Sequence, residues 1–466
     1  MASAPGIARA DPLPTNAYDV DLFQGPLLAP IRATSLAGAY AGYAEGTAGM
    51  VTNAAAPAVR PPEALRHVEF SLSGSLSFPI DIFDNNDFDN SGEIDADYSD
   101  FVYLTGGAIL QVGAFGGGLL GELQSYSLTD AEGSTTNVVV GRYRALAAVG
   151  LGRDQLALGG GVRAVTMGIG TRRADLVYVG AAPELGFLVR PEGVPFRFGA
   201  TYRFPVDGHA TFDPPKPEAP GLPSREGALT LPRGLSLPWE LETGVAIQVG
   251  PRPLNVGFDD PADLDDRLED AIARERRRRA QERERILASI SDPILKARKS
   301  TELDAADAVE REREERALEE EYDANVDRLD DAYASQPRQR LLLLISILVS
   351  GPTKDGVSLE RFLAQSVEGV GTSGVIGGSG ASVNFSPRFG VEVEPIPSWL
   401  ILRAGSYYEP SRFGGVGRQH FTFGSEVRLF ETDIFGLTPL WPWSVLGAVD
   451  LSPRYQSVSV SLGVFR

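Results

Sequence analysis

Cysteine is absent from the 466 residues. That excludes a disulfide scaffold, a thiolate metal site, a cysteine nucleophile and a lipid-modified N-terminal cysteine. Histidine occurs three times, at His67, His209 and His420, without the spacing of a zinc site. Positive charge is in deficit: 43 Lys and Arg stand against 62 Asp and Glu, a net −19, and nucleic acid as a partner would demand a basic face. No apolar run reaches the roughly eighteen residues of a membrane-spanning helix. The longest, 341–349, is broken by Ser346. A G-x-S-x-G elbow and a phosphate-binding P-loop are missing as well, so an enzyme is not expected. A barrel esterase would need a histidine at an outer rim, where His209 and His420 are the two candidates.

What the chain has is glycine, 52 residues of it, and long stretches that alternate apolar and polar. In 196–204, Phe196, Phe198, Ala200, Tyr202 and Phe204 share one face while Arg197, Gly199, Thr201 and Arg203 share the other. In 419–430, Phe421, Phe423, Val427 and Leu429 oppose Thr422, Gly424, Glu426 and Arg428. Fourteen such segments can be placed: 66–82, 101–114, 117–128, 136–151, 155–170, 175–189, 196–206, 237–249, 339–350, 380–393, 399–408, 419–430, 440–451 and 455–465. Only helices and closed barrels satisfy their backbone in lipid. With no spanning helix, the pattern predicts an all-β transmembrane barrel of about fourteen antiparallel strands, an even number as bacterial barrels have. Short turns (150–154, 190–195) fall on one side and long loops (81–100, 208–236, 351–379) on the other, which marks the long-loop side as external. At the C-terminus Val458, Val460, Leu462 and Val464 alternate with Ser457, Ser459 and Ser461, resembling the insertion signature of outer-membrane proteins, although Phe465 is penultimate and Arg466 terminal.

The segment 261–336 breaks the alternation. It is dense in Arg, Glu and Asp; Leu264, Leu268 and Ile272 recur at helical spacing, as do Val326, Leu329 and Tyr333. Ser291-Asp292-Pro293 interrupts it near the middle, as a helix stop and cap would. Because the insertion joins neighbouring strands, its ends must meet, and a charged antiparallel hairpin with arms of 30–40 residues is expected. At the N-terminus, Ala8 and Ala10 flank Arg9 in the small-residue pattern of a secretory cleavage site. Residues 1–10 therefore read as a signal-peptide remnant or a disordered tail.

Residues 32–55 read Arg-Ala-Thr-Ser-Leu-Ala-Gly-Ala-Tyr-Ala-Gly-Tyr-Ala-Glu-Gly-Thr-Ala-Gly-Met-Val-Thr-Asn-Ala-Ala. This resembles the N-terminal hatch motif of the outer-membrane hydrophobic-compound transporters, the long-chain fatty-acid transporter family, with Gly38-Ala39, Glu45 and Asn53-Ala54-Ala55 in order. Ala54 stands where that family has Pro, and Pro57 follows three residues later. Leu402 to Ser411 resembles a late-strand segment of the same family, and Leu237-Pro238 with Gly244-Val245-Ala246 is a weaker match. The resemblance implies a fourteen-stranded barrel whose lumen is plugged by the N-terminal segment. It further implies a hydrophobic ligand that enters from outside and leaves sideways through the wall. The same hatch motif occurs in a shuttle subunit of type IX secretion, so a non-transporting, protein-binding barrel is the alternative. On this reading 11–65 is the hatch, 66–251 carries strands one to eight, 252–338 is a periplasmic charged hairpin, and 339–466 carries strands nine to fourteen.

Four hatch residues, Gly38, Glu45, Asn53 and Pro57, are the candidate plug contacts, with Asn53 as a latch to the wall. Arg142, Arg144, Arg163, Arg197 and Arg203 face inward and could meet a fatty-acid carboxylate; Leu342, Leu344 and Leu348 would form an apolar lumenal patch. The expected partners are small hydrophobic molecules or fatty acids, outer-membrane lipid, and a periplasmic protein through the hairpin. No cofactor is required. One loop, Asp87, Asp89, Ser91, Glu93 and Asp95 with Gly92 and Ile94, carries the oxygen-ligand spacing of a calcium loop, with Tyr98 where a bidentate Glu belongs.

Overall fold

The computed structural model describes residues 15–80, 87–91, 102–129, 135–170, 175–217, 219–226, 229–264, 266–337, 339–365, 378–432 and 441–464. They form two compact units: one comprises Met1–Pro61, Phe70–Gly257 and Pro337–Arg466, the other Pro62–Glu69 and Phe258–Gln336.

Fourteen strands make the wall of the first unit. They are β1 (Val68–Pro79), β2 (Val102–Val112), β3 (Phe115–Thr129), β4 (Thr135–Leu151), β5 (Leu156–Gly170), β6 (Asp175–Val189), β7 (Phe196–Arg203), β8 (Glu240–Val249), β9 (Leu341–Ser350), β10 (Asn384–Ile396), β11 (Leu400–Glu409), β12 (Arg418–Thr432), β13 (Trp441–Ser452) and β14 (Tyr455–Val464). Each pairs with its sequence neighbours, and β1 pairs antiparallel with β14 from Leu72↔Val464 to Pro79↔Ser457. The sheet is therefore closed, with no free edge left in lipid. Every expected segment is a strand, including the Trp- and Pro-rich thirteenth.

The alternation has the expected sense. Phe196, Phe198 and Tyr202 on β7, Phe421 and Phe423 on β12, and Leu72 and Leu76 on β1 stay exposed, whereas Arg197, Arg203, Thr422, Ser71 and Ser75 are buried inside. An apolar exterior around a polar interior is the inverse of a soluble protein and is what a membrane-spanning wall requires. Tight turns close the connections from β2 to β3, β4 to β5 and β10 to β11; at 152–154 Gly152, Arg153 and Asp154 all take positive φ.

The N-terminal segment enters the lumen. Asp19–Asp21 is a short strand parallel to both Gly234–Leu237 and Gly356–Ser358, which belong to the long connections after β7 and β9. Beyond it come α1 (Ile31–Ser35), α2 (Gly46–Thr52) and a single turn at Ala56–Ala58. The lumen core is layered accordingly. Tyr18, Val20 and Leu22 pack on Tyr103, Tyr126, Val138, Met167 and Tyr178 at the long-loop end. Met50 and Ala54–Val59 pack on Ile109, Leu120, Leu146 and Leu188 at the other.

In the second unit, α3 (Asp266–Ala288) and α4 (Pro293–Ala334) form the hairpin, with 23 and 42 residues. The arms are thus unequal rather than both 30–40 residues. Residues 258–264 form no helix: Asn325 Nδ2 binds the Pro261 carbonyl and the Asp260 carboxylate caps the Ala262 N–H. The Asp292 carboxylate accepts from the Ile294 and Leu295 amides, the N-cap the sequence signals. No residue of α3 is buried. The arms are joined by ion pairs, Arg276 and Arg279 to Glu314 and Arg283 to Asp304.

Candidate functional site

The hatch is seated on glycine. Wall positions that point inward are Gly116, Gly159, Gly199, Gly244, Gly390, Gly405 and Gly424, and hatch backbone or Cβ atoms fill the space their side chains would take. A Cβ on Gly116 would lie 1.9 Å from the Pro57 carbonyl oxygen, one on Gly159 2.2 Å from that of Ala54, and one on Gly424 2.4 Å from Ser35 Cβ. Gly42 of the hatch meets the Gly244 backbone at 2.6 Å in the same sense. This girdle was not singled out from the sequence. Its trace is visible there, in glycines at inward positions of the alternating strands.

The four predicted hatch residues all engage the wall or brace the plug. Asn53 is fully buried; its Nδ2 donates to the carbonyls of Ala41 (2.9 Å) and Phe187 (3.0 Å), and its Oδ1 accepts from Ala55 N–H (2.9 Å). Glu45 pairs with Arg197 at 2.8 Å and with Arg32 at 3.7 Å. Pro57 gives its carbonyl to Gln111. Gly38, with φ of 68°, lies under the Arg388 guanidinium.

Inside the wall the charges gather in two knots. Arg203 reaches Glu184 (3.4 Å), Glu240 (3.0 Å) and Glu242 (2.9 Å); Arg163 meets Glu240, and Arg388 meets Glu242. A second knot joins Glu392 to Arg32, Arg340 and Arg403, and Arg403 to Glu426. Buried charges at such density must be paired, and here they pair across strands and with the hatch.

Between the hatch stretch 22–28 and the wall lies a cavity of about 120 Å³, with Leu22, Phe23, Leu27, Leu28, Val165 and Leu348 as the apolar part of its lining. Arg142, Arg144, Arg163 and Arg203 line it, as expected, together with Glu122, Glu240, Glu242 and Arg388, which the sequence reading did not name as ligand candidates. Arg197, Leu342 and Leu344 do not. The two leucines are covered by the hatch, and Arg197 spends its guanidinium on Glu45, the Leu254 carbonyl and Asn255. Their inward direction was read correctly; what lies over them is tertiary. Arg142 differs from its neighbours in having no carboxylate within ion-pair distance among the described residues, although Glu122 stands opposite it on β3: it donates to Gln124 Oε1, the Leu22 carbonyl and Gln24 Oε1.

Beside the cavity the wall is interrupted. β7 stops at Arg203 and pairing resumes at Val206; β8 begins at Glu240, after a break behind Leu237. Pro205 and Pro238 sit in the two breaks, and Pro183 faces them from β6, where its carbonyl accepts the Phe204 N–H. Proline removes ladder donors, and two freed carbonyls point at one guanidinium: Arg163 donates to Phe204 O (2.6 Å) and Pro238 O (2.7 Å).

At the long-loop end, His420 is enclosed between Glu409 and Asp450. Neither of its ring nitrogens faces a hydroxyl nucleophile, and His209 lies on the outward-facing strand Val206–Ala210. Of the five calcium-loop candidates, Asp87, Asp89 and Ser91 lie among the described residues. Carboxylate oxygens of Asp87 and Asp89 lie within 4.8 Å of each other and of Glu360 at the start of α5 (Leu359–Ala364). Asp87 also pairs with Arg454 at 3.1 Å, and Ser91 contributes its amide rather than a ligand oxygen. Glu93 and Asp95 fall outside the described residues.

No family model matches the sequence, and no curated protein matches it. Among solved structures the chain is similar to the CymD monoaromatic hydrocarbon channel, at 9% identity and a TM-score of 0.45, covering 94% of this chain and 96% of that one. It is similar to a Pseudomonas aeruginosa FadL homologue at 10% and 0.44, covering 96% and 99%. A TodX monoaromatic hydrocarbon channel carrying the deltaS2 mutation matches at 12% and 0.42, covering 92% and 96%. At such values the barrel assignment rests on this chain's own strands and closure.

Proposed function

We propose that this chain is an outer-membrane channel for small hydrophobic or amphipathic compounds, held closed by its N-terminal hatch. The observation that carries the reading is the lumenal cavity at the hatch, whose lining mixes apolar side chains with arginines and glutamates. Its size sets a limit. An apolar cavity of roughly 150 Å³ accommodates a benzene ring, so about 120 Å³ suits a cargo no larger than one aromatic ring. A long-chain fatty acid requires the hatch stretch 22–28 to withdraw. Arg142, the lining arginine without a carboxylate within ion-pair distance among the described residues, is placed to receive an anionic head. The interrupted wall at Pro183, Pro205 and Pro238 supplies the sideways exit, with Arg163 as its bolt.

Parity is the support for reading the hairpin as periplasmic. It follows the eighth strand, on the side of the short turns, and there it is free to meet a periplasmic protein. One observation favours the second reading, a protein-binding barrel that transports nothing: hatch and ion pairs fill the lumen on both sides of the cavity. Mass spectrometry of compounds retained by the purified barrel decides between them. Recovery of small aromatic or acyl compounds supports the channel. Their absence, with proteins co-purifying instead, supports the alternative.

A further inference from the structure

His420 is fully buried. Its Nε2 lies 2.7 Å from Glu409 Oε2 and its Nδ1 2.9 Å from Asp450 Oδ1. A neutral imidazole carries one N–H and one lone pair, so in the neutral form a lone pair would face a carboxylate. Only the imidazolium donates to both. The remaining neighbours complete the account. Tyr407 on β11 stacks on the ring at 4.2 Å, Tyr455 on β14 lies 5.5 Å away, and Arg418, on β12 with His420, donates to Glu409 at 2.6 Å. Among the described residues the hatch brings no charge to this cluster. It brings backbone. The Tyr407 hydroxyl donates to Asp450 Oδ2 (2.7 Å) and accepts the Leu27 amide (3.1 Å), while Gly25 packs so closely on Glu409 that a Cβ there would lie 2.0 Å from Oε1. Gly25, Pro26, Leu27 and Leu28 in turn line the lumenal cavity.

We propose that protonated His420 is the positioning residue of the gate: clamped between Glu409 and Asp450 it fixes Tyr407, Tyr407 fixes the hatch at Leu27, and loss of the proton releases the hatch from the cavity. The inference rests on reading the hatch as a gate. Two carboxylates, Glu409 and Asp450, are balanced by two cations, His420 and Arg418; Asp87, whose charge also acts on Arg418, has Arg454 at 3.1 Å. Removing the imidazolium charge leaves one negative charge uncompensated and sets a lone pair against a carboxylate. The N–H that remains is directed at Asp450, which has no other cation among the described residues, so Asp450 loses the charge it faced and the loss passes through its other oxygen to Tyr407 and the Leu27 amide; the lone pair falls on Glu409, against which Gly25 of the hatch packs.

The test uses the full-length barrel in detergent and in planar bilayers. With only three histidines, isotope labelling of histidine resolves each ring by NMR. At neutral pH one ring is expected to have both nitrogens protonated. Ion conductance is expected to stay low while that signal persists and to rise several-fold at the pH where it converts. His420→Gln should conduct at the high level at every pH, and Tyr407→Phe should do the same while leaving the imidazolium signal in place. Correct folding of both is checked by the heat-dependent gel shift of intact barrels. Three neutral rings at neutral pH, a conductance flat across the conversion, or a wild-type pH step in His420→Gln would overturn the proposal. Ions, not cargo, are the readout. A pH step in a barrel that passes no hydrophobic compound keeps the latch and rejects the channel; passage without a pH step does the reverse.

Discussion

Among the arginines of the lumen, position matters less than commitment. Arg203 faces Glu184, Glu240 and Glu242, and its charge is already neutralised. Arg142 faces neutral oxygens of Gln24, Gln124 and Leu22 and can exchange them for a ligand carboxylate. A hydrogen bond to a charged group is worth about 1.5–3 kcal/mol. Arg142→Gln should therefore weaken retention of an anionic amphiphile such as octanoate by about tenfold or more and leave a neutral aromatic such as toluene unaffected, as read by titration calorimetry. Equal losses for both would remove Arg142 from the ligand path. Glycine gives a second residue-scale prediction. Gly159 presses on the Ala54 carbonyl with backbone on both sides, so neither partner can yield cheaply. Gly159→Val should lift the hatch while the barrel still closes, and single-channel conductance should rise; unchanged conductance would mean that the hatch accommodates the extra carbons.

At the scale of elements, the hairpin and the wall use different forces. A strand of the wall is held by two ladders and a lipid-facing apolar row; the hairpin arms are held by charge. Glu314 shows this. Burial raises its pKa, but hydrogen bonds from Arg276 and Arg279 and the charge of both lower it further, and the net direction is down. A carboxylate depressed in the folded state contributes stability above its unfolded value, about 4.3, and that contribution is lost as pH falls through the folded value. The helical signal at 222 nm should thus weaken on acidification below about pH 4 while the barrel's gel shift persists. Glu314→Gln should lower hairpin stability at pH 7 and change little at pH 3. Equal loss at both pH values would show that the ion pairs do not hold the arms. The side on which the hairpin lies follows from parity alone, and trypsin reads it directly. Added to intact cells, trypsin should leave the 274–279 arginines uncut, and it should cut them after the outer membrane is permeabilised. Cutting in intact cells would place the hairpin outside.

At the scale of the whole molecule, the barrel and its plug are separable in principle. Every wall strand lies C-terminal to Arg66, and β1 pairs with β14 rather than with the hatch. Deleting residues 11–62 should leave a barrel that still inserts and still shows the heat-dependent shift, with ion conductance well above that of the full chain. Loss of folding would show that the glycine seats and the Arg32–Glu45–Glu392 knot are needed for closure itself. Unchanged conductance would show that the hatch does not block the lumen.

How much of this was legible follows from range. Period-two alternation is local, and a lipid-facing row must be apolar at every second residue, so all fourteen strands and their inward faces could be read from runs such as 196–204 and 419–430. The hairpin break at Ser291-Asp292-Pro293 is local for the same reason, since a cap and a proline act within one turn. The hatch was legible through its small residues and Asn53, whose amide does bind the wall. What covers a residue is not local. Leu342 and Leu344 face inward like Leu348, but the hatch lies over two of them and leaves the third at the cavity, because the plug's path is set by glycines scattered over seven strands. Asp87 and Asp89 gather with Glu360 of α5, 271 residues downstream of Asp89, rather than with ligands of their own loop alone. His420 reads in the sequence as one polar residue in a strand; only closure of the barrel brings Glu409, Asp450 and the Leu27 amide around it. Local periodicity determined the wall, and tertiary closure decided the site, because a lumen exists only once the first strand has met the last.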